Sequence, residues 1–323
     1  RSVLVEELGI ERIHDHDVAL ANRFRAGLGM PPGNSAIVSV DWPDAAARLG
    51  ADHASSSRTV RLCRVRPSSR SASRPTARSF AARGALSPSV TQCAGFVFSN
   101  GADWVSDDLK TCTITDPGTI EAISLYGNLL GNYGPPGILN MSWSEVMTLF
   151  AQGKVVFATE ASAVASVVTD PESSLVYDKV GFAKFPSAKA GQDPVPYNIS
   201  AWALGVNANS EHKDAAWALV SKLAGKDAQA AAQTAGVSSA RASSWANAQA
   251  TDLMPQELLD LVAECSTIGR GYNFVAFGQN VQEARNLVGS VVTASIESGG
   301  DSDKVMAAAE AIKGDFQTIL DNQ

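Results

Sequence analysis

The sequence predicts an α/β fold whose C-terminal part is helical. Two observations carry this expectation. Short β-rich runs alternate with helical apolar patterns from about residue 95 to residue 224, and helical patterns alone fill the remainder. A third observation divides the chain. Residues 1–94 hold 13 Arg and 8 acidic residues, whereas residues 95–323 hold 13 Lys or Arg and 25 acidic residues, and the first lysine is Lys110. A net of +5 followed by a net of −12 suits two joined pieces better than one evolved domain.

The first piece, residues 1–57, reads as a small α/β fragment. Ile10, Ile13, Val18, Leu20, Ala21 and Phe24 recur at near-helical spacing over Glu6 to Leu28, and Gly29 with Pro31-Pro32-Gly33 stops that helix. Residues 35–40 form a short β run, and Pro43 to Leu49 start a second helix between Asp41 and Gly50. Residues 58–94 read as a disordered Arg/Ser/Pro-rich linker or fusion seam. Eight arginines and no acid stand between Arg58 and Arg83, with no apolar period among them. An out-of-frame translation, a solvated linker and a basic tail are the competing readings, and no nucleic-acid partner is expected.

Residues 95–323 form the third segment. Phe96 to Asp108 reads as strand, turn and strand. Asp116-Pro117 opens a helix with Ile120, Ile123, Tyr126 and Leu130 on its apolar face and Gly131 as its stop. Ser142 and Glu145 have capping-box spacing, Val146, Leu149 and Phe150 bury the helix they start, and Gly153 ends it. Strands are expected over 155–158, 180–185 and 202–206. Asn209-Ser210 caps a helix whose Trp217, Val220 and Leu223 are expected in the core. Helices then follow over 255–263, about 277–298 and 302–320, with Gly299-Gly300 between the last two.

The motifs of this segment resemble the extracellular solute-binding proteins of sugar-type ABC importers. The marks are Asn100-Gly-Ala-Asp-Trp104, Tyr133-Gly-Pro-Pro-Gly137, Trp143-Ser-Glu145, Phe150-x-Gln-Gly-Lys154, residues 179–186, Trp202-x-Leu-Gly-Val-x-Ala-Asn209 and Lys213-Asp-Ala-Ala-Trp217. The resemblance implies the C-terminal lobe of a periplasmic-binding-protein-like fold, without the first half that supplies the other jaw. It implies a sugar or oligosaccharide ligand, an ABC permease in the membrane as partner, a monomer, and a periplasmic or extracellular location. No signal peptide is expected within the chain as it stands, since Arg1 is not followed by a charged-then-apolar leader. Residues 1–57 separately resemble the C-terminal small domain of class V pyridoxal-phosphate aminotransferases. That likeness rests on 9–13, 19–28 and 35–43, and it leaves an aminotransferase-related fragment or a non-functional fusion product as the alternative. Such enzymes need a Schiff-base lysine, and residues 1–57 contain none.

The expected ligand contacts follow from sugar chemistry, in which aromatic rings cover C–H faces and planar polar groups hold hydroxyls. Trp202 is a stacking residue or a core tryptophan, with Tyr197, Asn198 and Ser200 beside it. Trp143 stacks or serves as a hydrophobic staple. Glu160 and Ser162 follow a strand end, where ligands usually meet loops. Arg241, near Trp245, donates to hydroxyls or is a solvated charge. Trp104 is a cleft wall or a packed turn.

No enzyme activity, cofactor or metal is expected. No P-loop, dinucleotide or nucleophile-elbow motif is present. His14 and His16 stand two apart and face different ways on a helix. Cys63, Cys93, Cys112 and Cys265 lack metal or disulfide spacing.

Overall fold

The computed structural model describes residues 36–40, 78–184, 194–195, 203–270 and 280–322. Four strands form one mixed sheet: β1 (Ala36–Val40), β2 (Arg78–Ala81), β3 (Val155–Glu160) and β4 (Val180–Ala183). The strand order is β2-β3-β1-β4. β2 runs parallel to β3, and β1 lies antiparallel between β3 and β4. The strand expected at 35–40 is therefore present as β1, within the same sheet as β3 and β4.

Ten helices accompany the sheet among the described residues: α1 (Leu86–Ser99), α2 (Pro117–Tyr133), α3 (Trp143–Ala151), α4 (Ser166–Thr169), α5 (Lys213–Leu223), α6 (Lys226–Thr234), α7 (Ala242–Ala246), α8 (Gln256–Ile268), α9 (Val281–Glu297) and α10 (Ser302–Asp321). Two apolar cores flank the sheet. One gathers α1, α2, α9 and α10 around Phe96, Tyr126, Val291 and Phe316. The other gathers α3, α4 and α8 around Phe150, Val155, Val168 and Leu258. β2 shows the two-residue alternation that makes this possible: Phe80 and Ala82 enter the first core and Ala81 the second. β3 is buried along nearly its whole length, as expected of a strand covered on both faces.

The folded unit starts earlier than the sequence suggests. Residues 78–94, expected as disordered linker, supply β2 and most of α1. Val90, Cys93, Ala94 and Val97 form an apolar stripe at helical spacing, and all four are buried. The arginines upstream obscure the stripe because they lower the local hydrophobicity. The strand-turn-strand reading of 96–108 is corrected with it. α1 runs to Ser99, Gly101 turns the chain at φ 71°, and only an isolated bridge joins Val105 to Cys112.

Several helix limits follow local chemistry. Glu145 accepts the backbone N–H of Ser142 at 2.8 Å, and Gly153 leaves the helix at φ 65°. Asp301 accepts from Asp303 and Lys304 N–H at 3.1 and 3.2 Å and starts α10. Gly131 is not a stop. α2 continues to Tyr133, and a Cβ at 131 would stand 2.3 Å from the Ile296 carbonyl oxygen. Gly127, one turn earlier, faces Ser295 at 2.0 Å in the same way. These glycines let α2 and α9 approach closely.

Two more expectations are corrected. Residues 203–206 form no strand and are largely exposed. They have no neighbouring ladder among the described residues, and an extended segment becomes a strand only when its backbone groups are paired. Trp217 is 65% exposed rather than core, and no residue of α5 is buried. The amphipathic stripe is present, but α6 is the main described element that α5 touches. Trp104, by contrast, is fully buried beside Phe98. No described helix is long and apolar enough to cross a membrane.

Candidate functional site

The N-terminal end of α1 is where separate parts of the chain meet. Gly84 and Ala85 both donate their N–H groups to the Met141 carbonyl at 3.0 Å. A Cβ at Gly84 would lie 2.2 Å from the Ile138 carbonyl oxygen, so only glycine permits this docking. Met141 precedes α3 by two residues, and the first residue of α3 is Trp143, which is 42% exposed. The first turns of α1 and α3 are thereby held side by side.

Arg83 ties the same corner to the end of β3. Its Nε donates to Glu160 Oε2 at 2.8 Å, and its Nη2 pairs with Oε1. Gln92 Nε2 and the Ala161 N–H also donate to Oε1, both at 2.8 Å. Below them the Tyr126 hydroxyl donates to the Arg83 carbonyl at 2.6 Å. Burial, reinforced by nearby Cys93 and Glu160, holds the Tyr126 hydroxyl well above its usual range and keeps it protonated. Glu160 is 1% exposed. It lies beneath the loop with its acceptors engaged, whereas Ser162, two residues on, starts a half-buried 3-10 turn at its surface.

α9 completes the corner. Gln282 Nε2 donates to Ser87 Oγ at 3.1 Å, and Arg285 Nη2 donates to the Ser87 carbonyl and Thr91 Oγ1 at 2.9 Å. The entry to α1 is thus tied to the segment before α3, to the start of α9 and to the C-terminal end of β3. Helix N-termini present unpaired backbone N–H groups and partial positive charge. Such a corner is suited to oxygen-bearing ligands.

Of the expected contacts, Trp143 follows the Met141 that the entry to α1 bonds, Ser162 follows the end of β3, and Glu160 is corrected from a ligand contact to a buried residue whose carboxylate is taken up by Arg83, Gln92 and the Ala161 N–H. The structure places Arg241 elsewhere, at the start of α7, with Nε donating to the Ala224 carbonyl at 2.9 Å. Trp202, Tyr197, Asn198 and Ser200 lie outside the described residues. Sequence reasoning missed Arg83, Ser87, Gln92 and Gln282. The helical stripe from Val90 to Val97 was the available signal for the first three, but the supposed domain boundary at 94 cut it in two.

Residues 89–230 match the family described as Bacterial extracellular solute-binding protein. Over that stretch, less than half of the chain, the sequence is similar to the solute-binding protein family. The stretch contains most of α1, all of α3 and β3 and the Glu160–Val164 loop, and the family consists of binding proteins. Solved solute-binding proteins share the fold at low identity. A protein of Agrobacterium radiobacter K84 in complex with ribitol is 19% identical, covers 97% of this chain and 77% of its own, and superposes with a TM-score of 0.66. Maltose-bound MalE3 of Thermotoga maritima is 18% identical, with coverages of 97% and 79% and a TM-score of 0.65. A protein of Agrobacterium vitis S4 with bound D-mannitol is 21% identical, with coverages of 74% and 60% and a TM-score of 0.57. The present chain therefore spans about three fifths of the mannitol-bound protein's length. No curated protein matches.

Proposed function

We propose that this protein captures a neutral polyhydroxylated solute, a sugar or polyol, as the binding component of an ABC importer outside the cytoplasmic membrane. The single observation that carries the reading is the corner at the end of β3, where Arg83 pairs with Glu160 and the entry to α1 bonds Met141 before α3 and Gln282 of α9. Backbone N–H groups there hold hydroxyl oxygens, and Trp143 covers a C–H face of the solute. Glu160 and Arg83 hold the loop from below. Trp202, Tyr197, Asn198 and Ser200 contribute further contacts in this proposal, and a membrane permease receives the solute. The ribitol-, maltose- and mannitol-bound proteins of the same fold support this choice of ligand class. The family match supports the choice of binding over catalysis.

Calorimetric titration of the protein with D-mannitol, ribitol and maltose tests the reading. Saturable binding of at least one is expected. Absence of saturation by all three at concentrations up to about 10 mM, where even an affinity near −3 kcal/mol is detectable, overturns it.

A further inference from the structure

We propose that the gap between β3 and β4 is a strand-accepting slot, and that residues 36–40 fill it as a separable insert which a free segment of the same sequence can replace. The strand order leaves no direct pairing between β3 and β4. β1 joins them. It pairs antiparallel with β3, from Ala36 opposite Glu160 to Ser39 opposite Phe157, and antiparallel with β4, from Ile37 opposite Ala183 to Val40 opposite Val180. Among the described residues, β1 is the strand that β4 pairs with.

The walls of the slot are anchored from outside it. β3 pairs along its other edge with β2, through Arg78, Phe80 and Ala81. Val155 and Ala158 of β3 share the second core with Phe182 of β4 and with Leu258 and Leu261 of α8. Lys184, the residue after β4, pairs with Glu264 of α8. Before β4, the Leu175 N–H donates to the Ala151 carbonyl at the end of α3, at 2.8 Å. Taking β1 away therefore leaves two anchored edges whose backbone N–H and C=O groups lack partners. Such edges recruit an extended chain.

The covalent connection does little to place β1. Ser39 and Phe80 both pair with Phe157, one on each side of it. Two strand spacings put them about 10 Å apart, a gap that about three extended residues cross. The chain instead takes 41 positions to pass from Ser39 to Phe80. A connection so much longer than its span lowers the effective concentration of the tethered strand. Pairing, rather than the tether, holds β1 in the sheet.

The same pairing defines the partner. The slot takes an uncharged extended segment rich in β-branched residues, as Ala36-Ile-Val-Ser-Val40 is. Proline is excluded, because a strand paired on both edges loses a ladder bond wherever its N–H is missing.

This inference does not depend on the solute-binding reading. A site for a sequence-specific protease is placed between Ser57 and Arg58 of the full chain, and the cleaved protein is mixed with a fluorescent peptide of residues 34–42. Saturable uptake of the peptide is expected, with release of the N-terminal piece and uptake at least about tenfold weaker for a peptide carrying Val38→Pro. No uptake, or equal uptake of the two peptides, overturns the inference. The uncleaved Val38→Pro chain gives a second measurement. Its melting temperature is expected to fall and to be raised again by the wild-type peptide; a melting temperature equal to the parent's overturns the inference as well. Dimers of the parent chain that the wild-type peptide dissociates would put a second copy's residues 36–40 in the slot and support it.

Discussion

Arg83 and Glu160 form a two-pronged ion pair between residues 77 positions apart, with the carboxylate almost fully buried and the guanidinium 15% exposed. The pair joins the entry to α1 with the exit from β3. Gln92 and the Ala161 N–H complete the carboxylate's partners, so the loop that follows is set by a satisfied buried network.

Arg83→Met is therefore expected to cost about 3–5 kcal/mol, because it leaves Glu160 buried without its counter-charge. The double variant Arg83→Met/Glu160→Gln is expected to recover most of that loss. Urea denaturation of the two variants checks this. Equal destabilisation by single and double changes would show that the charge is not what matters.

Gly127 in the α2–α9 contact and Gly314 in α10 predict opposite effects of alanine substitution. Gly127→Ala places a methyl 2.0 Å from Ser295 Oγ and 2.5 Å from its backbone, and is expected to cost about 1–3 kcal/mol. Gly314→Ala, at an exposed position of α10 with no atom within 4 Å of the new methyl, is expected to stabilise by about 0.5–1 kcal/mol. Thermal melting distinguishes the two.

Asp103 and Arg270 give a pH-dependent prediction. Arg270 pairs with Asp103 and lies 4.5 Å over the Phe98 ring. Burial raises the Asp103 carboxyl above its ordinary range, against the pull of Arg270 and the Trp104 N–H. A carboxyl raised on folding favours the folded state most below its unfolded value, and that advantage fades as pH rises through the folded value. Arg270→Met removes an opposing charge and raises the carboxyl further. The variant is expected to lose about 1–3 kcal/mol at pH 7 and less near pH 4, where the carboxyl accepts a proton. Chemical denaturation at both pH values tests the sign; a larger loss at pH 4 contradicts it.

Trp143 stands exposed at the first turn of α3, beside the corner that receives the solute in the proposed reading. Trp143→Ala is expected to weaken solute binding at least about tenfold, with little change in melting temperature. Calorimetry and a melting curve together check it. Unaltered affinity would make Trp143 a surface residue without a binding role.

Most helices were legible from neighbouring residues, and the candidate site was not. Pro117, Ser142 with Glu145, and Gly153 mark helix ends through a ring, a bond and a φ value that lie within a few residues of one another, although the Asp116 side chain makes no capping bond. The pairing of Arg83 with Glu160, and of Ser87 with Gln282, joins distant positions and leaves no periodic trace. Arg83 was additionally hidden among arginines that read as linker.

By itself, the sequence determined the α/β alternation, most helix limits and the solute-binding resemblance, because caps, stops and apolar periods act over one or two turns. Only the tertiary structure decided which stripes are covered. Trp104 is enclosed and Trp217 is open, although each occupies a credible apolar position. Gly131 likewise turned from a helix stop into a contact with Ile296. Burial depends on which elements pack together, and that is a relation between chain segments rather than a property of any one of them.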